Sequence, residues 1–194
     1  MILDGQLCFT GGTALPNNGP TVAQAVTATA DSTNIIDLGP ATGATGIPTN
    51  AEPGAISNPT QPFRDIGIGD DPAMKLLVQC TTTWATLTSL VVNFQGAPDN
   101  GSGGTGSFST YYATPSIVAA NLVAGARLMD MDVPRPPPNL PEPRFLKLNF
   151  AVTGSNATNA NVFAAIVIDR HDQIYNGTVN SVLGGYPAGI VVAN

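Results

Sequence analysis

A chain of 194 residues fits one domain and is long enough to bury roughly 70% of its unfolded surface. Only 10% of its residues are Asp, Glu, Lys or Arg while 43% are hydrophobic, against about 25% charged in ordinary soluble domains. The formal net charge is −6, the basic residues are spread singly from Arg64 to Arg170, and no run approaches the roughly 18 apolar residues of a membrane span, so neither nucleic acid nor membrane is an expected partner.

Met1-Ile2-Leu3-Asp4 has no basic stretch leading into an apolar core, so no export signal is recognisable and a soluble protein is expected. Residues 1–23 read as an N-terminal segment and loop, with Leu15 to Pro20 rich in turn formers. From Val22 onward, short Val, Ile, Thr and Phe segments recur between Gly, Pro, Asn and Asp, and helix signals are almost absent. The expected strands are Val22 to Thr29, Thr33 to Leu38, Met74 to Thr81, Thr86 to Gln95, Ser107 to Tyr112, Arg127 to Val133, Phe145 to Val152 and Val162 to Asp169. About eight strands suit an all-β, two-sheet antiparallel jelly-roll sandwich spanning residues 24–172. Leu146, Leu148, Phe150 and Val152 share one strand face and Lys147 and Asn149 the other. Met129, Met131 and Val133 likewise oppose Leu128, Asp130 and Asp132, whereas Val162 to Ile168 is apolar on both faces and reads as a central or covered strand.

Three stretches interrupt this pattern. Pro40 to Phe63 reads as a long surface loop, Ser116 to Ala126 as strand or loop with a short helix as the alternative, and the six prolines of Pro134 to Pro143 as a stiff connection into the Arg144 strand. Residues 173–194 read as a C-terminal extension or arm ending in apolar Ile190-Val191-Val192.

Candidate chemistry fails on context. His171, the sole histidine, stands between Arg170 and Asp172 without a nucleophile elbow. Gly101, Gly103 and Gly106 satisfy GxGxxG, but a strand and not a helix is expected to follow. Asp70 and Asp71 read as a turn, Asp130 and Asp132 as the wet face of a strand, and Glu52 and Glu142 precede prolines in loops, so no metal site is complete. Asn100, Asn156 and Asn176 head formal glycosylation sequons that composition alone explains. Cys8 and Cys80 match no metal or redox spacing; Cys80 alternates with Met74, Leu76 and Val78 as a core thiol, and a bridge to Cys8 has no support. No catalytic residue, cofactor or metal is expected, and the protein reads as a structural and interaction protein and not an enzyme. A surface made of Thr, Ser, Asn and backbone is cheap to dehydrate, which fits burial against other protein.

The ordered string Met1 to Asp4, Gln24 to Gly39 (QAVTATADSTNIIDLG), Arg64 to Gly69 (RDIGIG), Arg144 to Gly154 (RFLKLNFAVTG) and Ala165 to Arg170 (AIVIDR) resembles the jelly-roll cement, or decoration, proteins of tailed-phage capsids. The resemblance covers about two thirds of the chain and departs before Gln24, in Pro40 to Phe63, in the proline run and in the tail. It implies a virion protein that is assembled in the host cytoplasm, binds the outer surface of the head, and bridges copies of the major capsid protein, with self-association as a dimer or trimer. The residues expected at capsid or subunit interfaces are Ile2 and Leu3, Phe63 and Arg64, and Tyr186 and Ile190. The rival reading is a receptor- or carbohydrate-binding jelly roll of a tail or surface fibre, with Trp84, Tyr111 and Tyr112 as its aromatic platform, although Trp84 adjoins an apolar strand and reads better as core.

Overall fold

Two sheets bury their facing sides against each other when each strand alternates apolar and polar side chains. A computed structural model of the chain describes residues 2–11, 23–38, 74–102, 104–168, 174–176 and 181–183. In chain order the strands are β1 (Ile2–Cys8), β2 (Gln24–Ala25), β3 (Ala30–Asp31), β4 (Ile36–Asp37), β5 (Lys75–Cys80), β6 (Ala85–Ala97), β7 (Ser109–Ala113) and β8 (Ile117–Val118). A 3-10 turn, Ala119–Asn121, precedes β9 (Arg127–Asp132), β10 (Phe145–Thr158), β11 (Asn161–Ile168), and a hairpin of β12 (Ile174–Asn176) and β13 (Ser181–Leu183). No helix among the described residues is long and apolar enough to cross a membrane.

One sheet runs β1-β11-β5-β9 with β2 also on β11; the other runs β3-β10-β6-β7 with β4 also on β10 and β8 also on β6. All pairings are antiparallel. β1 and β2 lie end to end along β11, β3 and β4 along β10, and β7 and β8 along β6, so each pair is one interrupted arm. Counted that way, eight arms are wired 1-8-3-6 against 2-7-4-5. These are the nested Greek keys of a jelly roll, as the sequence pattern predicts.

The core lies between the sheets. Leu76, Val78 and Cys80 of β5 and Val162, Ala164 and Ile166 of β11 face Leu90, Val92 and Phe94 of β6 and Leu146, Leu148 and Phe150 of β10. Each fully buried Val, Leu, Ile or Phe among them stabilises the fold by about 1.5–3 kcal/mol. Phe94 meets Phe9 edge-on at 6.3 Å and Tyr111 at 6.2 Å. β11 is central, and its outer face is apolar because Ala165 and Val167 form a second buried cluster with Cys8 and Leu77. Cys8 and Cys80 therefore sit on opposite faces of one sheet and remain thiols, with burial pushing the Cys80 thiol up to about 12.

Two predicted strands are shorter than expected. Of Val22 to Thr29 the described residues, 23–29, keep strand geometry only at Gln24–Ala25, and Thr33 to Leu38 only at Ile36–Asp37. Here the chain passes from one sheet to the other, and the N–H of Val26 still donates to Ala160 on the first side before Thr27 accepts from Ala157 and Thr29 reaches β10. β1 and the β12–β13 hairpin fall where the sequence pattern gives an N-terminal segment and a C-terminal arm and no strand.

The interruptions share a device. At the break in the first arm, Thr10 N–H donates to the Ala164 carbonyl at 3.3 Å, while Thr10 Oγ1 accepts from Ala164 N–H at 3.0 Å. At the second, Ser32 N–H donates to the Leu148 carbonyl at 2.7 Å and Ser32 Oγ accepts from Leu148 N–H at 3.1 Å. At the third, Thr114 N–H donates to the Val92 carbonyl at 3.0 Å and Thr114 Oγ1 accepts from Val92 N–H at 3.0 Å. Thr10, Ser32 and Thr114 are all buried. A hydroxyl thus stands in for the missing backbone carbonyl wherever an arm leaves the ladder.

Thr114→Val keeps the side-chain shape and strands the buried Val92 N–H, which is expected to cost about 1–3 kcal/mol in urea unfolding. Thr114→Ser retains the acceptor and is expected to lose much less. Equal stability of the valine variant and the wild type would remove the hydroxyl from this role.

Candidate functional site

The two longest strands, β6 and β10, pair along their length, from Phe145 beside Ala97 to Thr158 beside Ala85. They define two ends of the sandwich, and the ends differ in chemistry.

The first end holds the ions. Arg144, at the entry to β10, donates through Nε to Asp37 Oδ1 and through Nη2 to Asp37 Oδ2, both at 2.9 Å, and through Nη1 to Asp99. Arg144 and Asp37 are buried at 5% and 4% exposure. The Asp37 hydrogen bonds raise the guanidinium further above its usual range, against the opposing effect of burial, and its carbon lies 4.8 Å from the Phe145 ring centroid. The main chain follows suit: Arg144 N–H donates to the Ala97 carbonyl and Leu38 N–H to the Arg144 carbonyl. Three elements distant in sequence are tied at one point, and the knot is closed to substrate because each charge already faces its counter-charge. The proline run leads into this knot without forming a strand, as predicted.

The outer face of the second sheet is polar yet internally satisfied. Asp31 of β3 accepts from Lys147 at 2.7 Å and from Asn149 at 2.8 Å, Asn93 donates to Asn149 at 3.1 Å, and Gln95 donates to Thr110 at 3.1 Å. The Lys147 ammonium stands 4.1 Å from the Phe108 ring centroid. Partial burial alone would raise the Asp31 carboxyl, but the hydrogen bonds from Lys147 and Asn149 and the Lys147 charge outweigh it and hold the group below its ordinary 3.8.

The second end is uncharged. The chain has no Asp, Glu, Lys, Arg or His from Leu76 to Pro98, from Asn100 to Ala126 or from Leu148 to Ile168. Those stretches supply the turns at residues 81–84, 119–126 and 159–160, joined by the uncharged corner at 26–30. The turns are stitched together: Trp84 N–H donates to the Leu122 carbonyl, Ala124 N–H to Thr83 Oγ1, Asn161 N–H to Thr82 Oγ1, and the Trp84 indole to the Asn161 carbonyl. Thr86 and Asn159 adopt left-handed backbone at φ 73° and 53°, a costly geometry for a β-branched residue, and the Thr86 hydroxyl reaches the Asn156 carbonyl. Gly154, at φ 91°, lies where any side chain would collide with Thr88. On this rigid end Val118 and Val123 are 52% and 42% exposed, while Leu122 between them is fully buried and anchors the turn.

The chain matches the family model Bbp16 over residues 21–167, named for a protein of a Bordetella phage. The chain belongs to the Bbp16 family. The Bbp16 match takes in all the strands from β2 to β10 and most of β11, and so both ends of the sandwich. No curated protein matches the chain.

Of the residues expected at interfaces, Ile2 and Leu3 lie in β1, where their backbones pair with Ile168 and Val167. Phe63, Arg64, Tyr186 and Ile190 lie outside the described residues, as do His171, Asp70, Asp71 and Glu52. Asp130 is bonded to Arg127 at 2.9 Å and Asp132 to Lys75, across the outer face of the first sheet. Gly101 and Gly106 lie in a loop between β6 and β7, where Asn100 Oδ1 accepts from Ser102 and Gly104 N–H and no helix follows. Trp84 is 3% exposed and Tyr111 and Tyr112 pack against the core, so these rings offer no open platform. Sequence reasoning missed Val118 and Val123. The signal was present in the spacing of the charges, which it averaged over the whole surface instead of following to one end.

Arg144→Ala leaves the Asp37 carboxylate buried and is expected to cost about 3–5 kcal/mol in urea unfolding, whereas replacing both partners with apolar residues should recover much of the loss. A single variant as stable as the wild type would show the knot to be dispensable. Because the folded Asp31 carboxyl is depressed, its contribution is present above its ordinary value and is lost as pH falls through the lower folded value. Between about pH 5 and pH 2 the wild type should therefore lose more stability than Asp31→Asn, read by thermal melts along the titration. Parallel curves would contradict the assignment.

Proposed function

We propose that the protein is a structural component of the phage particle, a cement or decoration protein that binds the outer surface of the head and bridges copies of the major capsid protein. The observation that carries this reading is membership of a phage protein family by a jelly roll whose described charged clusters are closed on themselves. The ionic knot at Arg144 and the paired amides around Asp31 have their partners within the fold. Such groups hold shape and leave binding to the uncharged surfaces around them, and the role is mechanical and not catalytic.

Cement acts by mass action. A protein that binds the assembled lattice better than separated subunits stabilises the assembly by about 2.7 kcal/mol per site at a hundredfold excess over its Kd. Many such joints in parallel oppose the outward pressure of packaged DNA.

The stoichiometry of purified virions tests this directly. Quantitative mass spectrometry is expected to find the protein in a fixed, near-lattice ratio to the major capsid protein, and heads lacking it should rupture at lower temperature. Its absence from virions, or its presence in only a few copies as for a fibre or portal component, would reject the cement role.

A further inference from the structure

We propose that Asn100 is a self-modification site, at which the folded loop between β6 and β7 converts the side-chain amide to a carboxylate through a cyclic imide with Gly101. The inference stands apart from the cement reading, because it concerns a reaction within one chain.

The loop repeats the ring found at the strand breaks, with a different acceptor. Asn100 N–H donates to the Gly104 carbonyl at 3.0 Å, and Asn100 Oδ1 accepts from Gly104 N–H at 3.1 Å. At Thr10, Ser32 and Thr114 the accepting oxygen is a hydroxyl, which carries no electrophilic carbon. At Asn100 it is a carboxamide oxygen, and a second donor, Ser102 N–H at 2.8 Å, reaches it as well. Two backbone donors on one carbonyl oxygen polarise its carbon and meet the negative charge that nucleophilic attack places there. The nucleophile is the next nitrogen in the chain. Gly101 N–H donates to Asp99 Oδ1 at 2.5 Å, so a carboxylate already touches the proton that must leave. Gly101, at φ 85°, has no side chain to shield that nitrogen and open space around it, and Asn100, Gly101 and Ser102 are exposed to water.

As Gly101 N bonds to Asn100 Cγ, its proton passes to Asp99, and Ser102 and Gly104 hold the oxyanion that forms on Oδ1. The Cγ–Nδ2 bond then breaks, and Nδ2 takes the proton from Asp99 and departs as ammonia. Solvent water opens the imide at either carbonyl, leaving aspartate or its β-linked isomer in place of Asn100. In sum, an amide and a water become a carboxylate and an ammonium ion, with no redox change. The product adds a negative charge beside Asp99 to a chain already at −6.

Peptide mapping by mass spectrometry on the full chain, incubated folded and in urea, tests the inference. Asn18 and Asn176 also precede glycine and serve as internal references for the same dipeptide. In urea all three are expected to convert at similar rates. In the folded protein Asn100 is expected to convert on the order of tenfold faster than in urea, and to outrun both references. A Cβ at Gly104 would lie 2.7 Å from the Asn100 carboxamide nitrogen. Gly104→Ala should therefore unseat the carboxamide while leaving the Asn-Gly pair intact, and return the folded rate to that in urea. Asp99→Asn removes the base and should slow the reaction likewise, while Arg144 keeps both bonds to Asp37. Conversion of Asn100 in the folded chain no faster than in urea or at the references, or a fast rate kept by both variants, would overturn the proposal and leave the carboxamide as a structural ring alone.

Discussion

A buried backbone N–H without an acceptor is what this fold must avoid at every strand break, and side-chain hydroxyls are how it does so. Thr10, Ser32 and Thr114 each donate through their own N–H and accept through their own hydroxyl, closing a two-bond ring with one residue of the neighbouring strand. Thr29 makes the same closure with its side chain alone, accepting from Val152 N–H at 3.0 Å and donating to its carbonyl at 3.2 Å. These rings let three arms bend, pause and resume along the same partner strand, which a jelly roll requires when an arm passes from one sheet to the other. Unpaired, each buried N–H would cost about 1–3 kcal/mol, a large part of the stability of a domain of this size. The Thr-rich, charge-poor composition therefore has a structural cause before it has a functional one.

The sequence made some of this visible and hid the rest. β5, β9, β10 and β11 were readable because long strands bury one face and so alternate, as in Leu146, Leu148 and Phe150 against Lys147 and Asn149. β11 was readable as central because it is apolar on both faces, and the outer cluster of Cys8, Leu77, Ala165 and Val167 explains why. β1 was not readable: Ile2 and Leu3 are adjacent, Gly5 interrupts, and the pairing itself shifts register between Leu3 and Cys8, so no period of two survives. The corner at residues 26–29 looked like strand because Val, Ala and Thr favour extended backbone, whereas sheet crossing is set by residues more than a hundred positions away. The same distance hid the ionic knot, since Asp37 and Arg144 are separated by 107 positions.

That knot and the hydroxyl rings divide the work of holding the sandwich. Arg144 fixes the end where the proline-rich connection enters β10, using bidentate geometry that an ammonium group cannot reproduce. Its neighbour Asp99 adds a third strand exit to the same point. Gathering the charges there, and pairing Asp31 with Lys147 on the outer face, leaves the turns of the far end without any, the Arg127–Asp130 pair lying just beyond the 119–126 turn in β9. The segregation follows from chain order as well as from folding, since the uncharged stretches from Leu76 to Pro98, from Asn100 to Ala126 and from Leu148 to Ile168 meet only because β6 and β10 run antiparallel and place their far ends together.

An uncharged, hydrogen-bonding, partly apolar surface has physical consequences that suit the structural role proposed above. Its contacts do not weaken with ionic strength as ion pairs do, so a joint made through it survives changes of medium outside a cell. Lacking long-range attraction, it gives slow encounter and depends on a low dissociation rate, which shape and burial provide. Rigidity matters for the same reason, because turns already tied by Thr82, Thr83 and Trp84 lose little freedom when covered. The left-handed Thr86 fits this picture: its strain is held by β10 through Asn156, and it keeps the exposed hydroxyl-rich edge in one shape instead of many. Specificity at such a surface comes from shape and hydrogen-bond pattern, and from the cost that any partner's unpaired ion would incur on being buried against it.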